Sequence, residues 1–175
     1  MGGGMAQSLL ATGRAVVGYD PDRAARARLT QAGGRTASSA TAVAEQADVV
    51  ITSLATVSAL ADVAERIAVA RRGAGRDSLI VIESSTLPLA DKERAAKRLA
   101  RAGAIVMDCP ISGTAVRLRE RAWTIYASGP ASAYRRVQPI FQVFTDNAPY
   151  VGRFGNGTRM KFVANHLVAI LNVAT

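Results

Sequence analysis

Lys161 and Asn165 stand four residues apart in a chain of 175, and Asn172 continues the same spacing. On a helix, residues one turn apart project side by side, so an amine and an amide would share one face. A buried lysine is costly unless it has a partner or a task. The row Lys161, Asn165, Asn172, interrupted by Val168, therefore predicts a polar cleft. The plainer alternative is a lysine near a helix start whose ammonium snorkels to water. Further polar residues stand where strand-like runs end: Asp20, Ser53, Ser85-Thr86 and Ser112-Gly113. The residue types suit proton transfer and anion binding.

The elements that must position these groups follow from periodicity. Gly155-Asn156-Gly157 makes a turn, Thr158 is a candidate N-cap, and the apolar run through Asn172 predicts a long helix. Being apolar almost all round, that helix is expected to be buried. Upstream, Met1 to Thr12 predicts a helix stopped by Gly13, then a strand from Ala15 to Asp20. Pro21 suits the first turn of a helix running through Leu29 and closed by Gly33-Gly34. Ala40 to Gln46 predicts a short helix ahead of the strand Asp48 to Leu54. Val57, Leu60, Ala64 and Ile67 mark an amphipathic helix. Leu79 to Ile82 and Ala104 to Asp108 are further strands, separated by a basic helix from Leu89 to Ala102. A polar turn at Arg117 to Arg121 leads to a strand from Trp123 to Ala127. A helix with Val137, Ile140, Phe141 and Phe144 on one face follows, bent by Pro139, and then a strand at Pro149 to Val151.

Continuous apolar strands such as Val49-Val50-Ile51 belong to sheets covered on both faces. Alternation with helices then predicts a doubly wound α/β domain, in which ligands sit beyond the carboxyl ends of the strands. The formal charge is +9. Its arginines are spread singly or in pairs along helices without interleaved aromatics, which favours a solvated basic surface over a nucleic-acid stripe. The single cysteine, Cys109, excludes an internal disulfide framework and suits a reducing, cytoplasmic setting. No apolar run is long enough to span a bilayer, and no metal-ligand cluster is expected.

Together these segments resemble the 3-hydroxyisobutyrate dehydrogenase (β-hydroxyacid dehydrogenase) family, relatives of 6-phosphogluconate dehydrogenase. Met1-Gly2-Gly3-Gly4-Met5-Ala6 is similar to the end of its Gly-Leu-Gly-x-Met-Gly-x-x-Met-Ala motif. Ala47 to Thr52 is similar to its fourth strand, and Glu83-Ser84-Ser85-Thr86 to its Asp-x-Ser-Thr segment. Asp108-Cys109-Pro110-Ile111-Ser112-Gly113 resembles its Asp-Ala-Pro-Val-Ser-Gly-Gly, and Gly155-x-Gly157-x-x-x-Lys161-x-x-x-Asn165 its catalytic helix.

The resemblance implies a Rossmann-type parallel sheet over residues 1–154 that lacks its first strand. Residues 155–175 would begin an interdomain helix leading to a helical dimerisation domain beyond Thr175. In a sheet ordered 3-2-1-4-5-6 the first strand is the central one. Its loss would leave on the order of ten buried backbone groups unpaired at ~1–3 kcal/mol each, so a marginal fragment is expected. The implied chemistry is hydride transfer between a nicotinamide dinucleotide and a small β-hydroxyacid.

Lys161 would shuttle the proton of the reacting oxygen, with Asn165 orienting substrate or lysine. Ser112, Gly113 and Thr114 would line the substrate carboxylate. Gly2, Asp20, Ser53, Leu54, Ser85 and Thr86 would line the cofactor. An acid at Asp20 favours NAD over NADP, because it suits ribose hydroxyls and repels a 2′-phosphate. Asp20 as a cap of the Pro21 helix, and Ser85 and Thr86 as groups bonding local backbone, are the alternatives.

Departures bear on substrate. Thr114 replaces the second glycine of Ser-Gly-Gly, and Arg117 to Arg121 replaces a glycine-containing turn. Ala164 stands where 6-phosphogluconate dehydrogenases carry histidine, which argues against a sugar-phosphate substrate. His166 lies off the polar row and reads as structural. A homodimer or higher homo-oligomer is implied. The competing readings are a non-catalytic dinucleotide-binding scaffold and an imine reductase, the latter disfavoured because those relatives usually replace the lysine.

Overall fold

The computed structural model describes residues 1–71, 79–114 and 120–174. Helix α1 (Gly2–Ala11) is followed by β1 (Val17–Gly18), α2 (Arg23–Gln31), β2 (Arg35–Thr36) and α3 (Ala40–Gln46). Then come β3 (Val49–Thr52), α4 (Val57–Arg71), β4 (Ile80–Glu83), α5 (Leu89–Arg101) and β5 (Ile105–Asp108). The chain continues through β6 (Ile111–Ser112), β7 (Thr124–Ile125), α6 (Ala131–Phe144) and α7 (Asn156–Ala174).

Strands β3, β4 and β5 form a parallel sheet in that order, with β4 central. All four residues of β4 are buried. Ile80 and Ile82 point into a core with Met5 of α1 and Val137 and Phe141 of α6. Val81 points the other way, to Leu60 and Ile67 of α4 and Leu99 of α5. Period-two alternation in a strand with no polar residue is thus what covers a sheet on both faces. The expected doubly wound α/β architecture is present.

β1 and β2 make a separate parallel pair, and among the described residues neither pairs with β3. Two-residue strands replace the longer run read from Ala15 to Asp20. β2 and β6 were not legible as strands at all, being too short for periodicity to register. Strand β7 pairs antiparallel with β6, so the sheet regions are not uniformly parallel. The chain returns from β5 through β6, which antiparallel pairing permits without a helical crossover. Pro149 to Val151 contributes only the bridge of Tyr150 to Ala127. Of the turn expected from Arg117 to Arg121, Arg117 to Arg119 lie outside the described residues.

Helix ends differ in detail from expectation. Asp22, not Asp20, caps α2, its side chain accepting from the Ala24 N–H. α7 begins inside the glycine turn at Asn156, so Thr158 falls in its first turn and is 3% exposed. The rest of α7 corrects the expectation of a buried helix: Phe162, Val163, Leu167, Val168 and Ile170 are about half exposed. Apolar composition all round signals a helix that wants covering, and only its first turn is covered by the described residues. No helix among the described residues is long and apolar enough to cross a membrane.

That first turn lies against backbone. A Cβ added at Gly157 would overlap the Tyr126 carbonyl oxygen and stand 2.6 Å from that of Asp108. Backbone cannot yield as a flexible side chain can, so only glycine permits the approach. Gly157→Ala is expected to destabilise the fold by about 1–3 kcal/mol. Gly3→Ala, in a helix with nothing within 4 Å of the added carbon, should not. Thermal denaturation of the two variants checks the contrast.

Candidate active site at the start of α7

Register brings two carboxylates together. Strands β4 and β5 pair Glu83 with Asp108 at their carboxyl ends, and Thr52 of β3 completes the row. Glu83 is 3% and Asp108 0% exposed. Two adjacent buried anions repel, and a cation between them is the physical remedy. Lys92 of α5 supplies it: its Nζ lies 2.6 Å from Glu83 Oε2 and 2.6 Å from Asp108 Oδ1. The ammonium also donates to the Ser85 carbonyl at 2.9 Å and to Thr158 Oγ1 at 3.2 Å. Glu83 Oε2 is consequently held by charge rather than by an aligned hydrogen bond.

Asp108 reaches up to α7. Its Oδ2 accepts the Thr158 N–H at 2.8 Å, and its Oδ1 accepts the Thr158 hydroxyl at 2.8 Å. Ser128 Oγ accepts the Gly157 N–H at 3.0 Å and donates to the Asp108 carbonyl at 2.9 Å. A carboxylate at a helix N-terminus satisfies orphan donors and complements the dipole. The cluster thereby fixes where α7 leaves the sheet.

One turn on, Lys161 donates from Nζ to Ser112 Oγ at 3.2 Å. Partial burial lowers the pKa of its amine below the usual lysine value. Ser112 is half-buried at the end of β6, and its hydroxyl hydrogen stays available for a third group because the oxygen is the acceptor here. Gly113 has φ of +134°, and a Cβ there would come 2.5 Å from Trp123 Cδ1. Trp123, 1% exposed, donates from Nε1 to the Thr114 carbonyl at 2.7 Å. The indole is thus the floor on which the Ser112-Gly113-Thr114 loop rests, and Gly113 and Thr114 are exposed above it. Neighbouring Cys109 is fully buried, and burial pushes its thiol up, away from reactivity.

The structure brings Lys161 and Ser112 together. It leaves Asn165 and Asn172 exposed on the outer turns of α7, so the polar row does not face a cleft built by the described residues. Ser85 is buried and its oxygen accepts the Leu54 N–H at 2.8 Å, while its own N–H goes to Glu83 Oε1 at 3.0 Å. That is the strand-end role, joining β3 to β4. Thr86 is exposed, as are Ser53 and Gly2, whose added Cβ would meet Ser53 Cβ at 3.7 Å. Asp20 is exposed beyond β1, with Oδ1 accepting the Asp22 N–H at 2.9 Å. His166 is exposed on α7.

A dinucleotide is compatible with this surface. α1 opens on three glycines, has no side-chain cap and carries no acid in its first turn. Such a start leaves N–H donors and the positive dipole end open to a phosphate. The Asp20 carboxylate stands free of any cation within ion-pair reach among the described residues. Sequence reasoning missed Lys92, Glu83 and Trp123. A signal existed for Lys92, since it shares the apolar face of α5 with Ala95 and Leu99 at helical spacing.

Residues 1–152 match the family described as the NAD binding domain of 6-phosphogluconate dehydrogenase. L-threonate dehydrogenase of Cupriavidus necator is 31% identical over 99% of this chain and 58% of its own length. The mitochondrial 3-hydroxyisobutyrate dehydrogenase of Homo sapiens is 30% identical over 100% of this chain and 52% of its own. The structure of Mycobacterium tuberculosis 3-hydroxyisobutyrate dehydrogenase with L-serine superposes with a TM-score of 0.92 at 26% identity, covering 99% of this chain and 58% of that one. The chain therefore spans about half the length of the curated relatives it matches. By the extent of the family match, it belongs to the family of 6-phosphogluconate dehydrogenase-type NAD-binding domains.

Proposed function

We propose that this chain is the cofactor-binding half of an NAD-dependent dehydrogenase acting on a small β-hydroxyacid. The observation that carries the reading is the 3.2 Å contact of Lys161 Nζ with Ser112 Oγ. An amine of lowered pKa beside a hydroxyl with a free hydrogen can handle a proton and hold a carboxylate at once. The nicotinamide cofactor, when bound, supplies the hydride acceptor or donor. Gly2 and the open start of α1 would take its pyrophosphate. Asp20 would take the ribose hydroxyls, with Ser53, Leu54, Ser85 and Thr86 along the strand ends.

Within the chain the work divides simply. Ser112 Oγ–H and the Gly113 N–H donate to the substrate carboxylate, and Thr114 borders it. Lys161, as neutral amine, accepts the proton of the substrate hydroxyl as that carbon is oxidised. In reduction the ammonium returns it. Asn165, one turn on, orients the substrate from the α7 face. Residues 1–154 form the cofactor domain in this reading, and residues 155–175 start a helix toward a second, helical domain. The half-exposed apolar side chains of α7 support that, being a surface such a domain or a second copy would cover. A homodimer in a reducing cytoplasm completes the reading.

Lys161→Ala in the full-length enzyme should lower kcat by about 10²–10⁴-fold while NADH binding persists, as followed by nicotinamide fluorescence. Loss of both together would mean that Lys161 is only structural. Oxidation needs the neutral amine, so its rate should fall as pH drops through the lowered Lys161 pKa. Reduction needs the ammonium and should fall as pH rises through the same point. Rate profiles recorded in both directions test the sign. Asp20→Ala should weaken NADH binding and narrow the preference over NADPH; an unchanged ratio of the two dissociation constants refutes the ribose role.

A further inference from the structure

The three buried charged groups beneath α7 do not cancel. Glu83 and Asp108 bring two negative charges and Lys92 one positive, all nearly excluded from water. Asp108 is arranged as a carboxylate: it accepts from an ammonium, a backbone N–H and the Thr158 hydroxyl. The cluster's formal charge is thus −1, at the N-terminus of the helix that carries Lys161. Thr158, bonded through two atoms to Asp108, precedes Lys161 by three residues, a rise of roughly 4.5 Å. Four residues of chain separate Asp108 from Ser112, which touches the amine, so anion and amine lie on the order of 10 Å apart.

We propose that Glu83, Asp108 and Lys92 are positioning residues that set the proton affinity of Lys161, Asp108 by docking α7 and all three through their uncancelled negative charge. The inference rests on the role given to Lys161 above and adds what tunes it. Desolvation at the Ser112 loop favours the neutral amine, and so does the positive end of the α7 dipole. A buried net anion opposes both, holding the ammonium accessible so that one group can give and take a proton. Across about 10 Å at an effective dielectric near 20, one charge moves a titration by roughly one pH unit.

Other charged groups bear on Lys161 less directly. Ser112 on β6 is its hydrogen-bond partner among the described residues. Asp108, Glu83 and Lys92 are the charged groups buried under the helix start, from β5, β4 and α5. On α7 itself, Arg159 turns to Asn156 Oδ1 at 3.3 Å, and His166 is exposed.

The chain contains three lysines, Lys92, Lys97 and Lys161. Exposed Lys97 serves as an internal reference amine. The pH dependence of acetic anhydride labelling, read residue by residue by mass spectrometry on the full chain, gives the midpoint of Lys161 without any assay of activity. Glu83→Gln removes one charge without touching the α7 contacts. It should lower the Lys161 midpoint by about one pH unit while Lys97 stays put. Asp108→Asn should lower it too. Thr158→Val, which deletes a docking hydroxyl and no charge, should leave it where it was.

Undocking has the opposite signature: re-solvated Lys161 would move up toward Lys97. A Lys161 midpoint that is unmoved or raised in Glu83→Gln overturns the proposal, and thermal melting confirms that the variant is folded. If Asp108→Asn does not fold, Glu83→Gln decides alone. A wild-type Lys161 that titrates together with Lys97 overturns the proton-shuttle reading itself. An unmoved Glu83→Gln against a lowered wild-type midpoint overturns only the tuning.

Discussion

The arrangement depends on one ammonium placed between two carboxylates. Parallel register puts Glu83 beside Asp108 at the ends of neighbouring strands, both out of water. Neither position can hold an isolated charge at tolerable cost. Lys92, 1% exposed on α5, joins them to each other and to the Ser85 carbonyl. Replacing such a triad by apolar groups of equal volume is often neutral or stabilising, whereas deleting one member typically costs about 3–5 kcal/mol. Stability alone therefore does not explain the triad. What it supplies is direction: Asp108 has oxygens left over for the first turn of α7, which an aliphatic side chain would not.

From that point the geometry of the site is inherited. Gly157 lets the helix start approach the carbonyls of Tyr126 and Asp108, and Thr158 is held at two atoms. Lys161 emerges one turn later, over the loop that Trp123 supports from below. Three independent devices (a missing Cβ, a side-chain cap and an indole floor) converge on a single 3.2 Å contact. Each constrains backbone, which is why the pair is placed more firmly than two exposed side chains would be.

Much of this was written in the sequence, but unevenly. β3, β4 and β5 were legible because four consecutive apolar residues bounded by polar ones admit few other readings. α3 and α5 were legible to within a residue because Ser39 caps the first and an amphipathic face defines the second. β1, β2 and β6 have two residues each, less than one period of anything. Lys161 and Ser112 could be singled out by type and motif, and they do meet. The reading of α7 failed where composition was taken for environment: an apolar helix surface records what it needs, not what lies against it among these residues. Ser85 shows the same limit from the other side. Its position at a strand end suggested a ligand, yet its hydroxyl and N–H are both spent on neighbouring strands. Glu83 and Asp108 looked like unrelated acids 25 positions apart until register made them neighbours.

The partial burial of Lys161 is itself informative. A fully buried amine would be locked neutral, and a fully solvated one would stay an ammonium at any ordinary pH. Either extreme suits one direction of a proton transfer and blocks the other. Half-buried, with a hydroxyl as its partner rather than a carboxylate, the amine is pulled toward neutrality without being pinned there. A carboxylate at the position of Ser112 would have stabilised the ammonium strongly and removed that latitude. Placing the anions one turn behind, beneath the helix start, gives the opposing pull at a distance where it adjusts the balance without fixing it. The separation between Ser112 in contact and Asp108 behind is thus the feature that allows a reversible proton carrier.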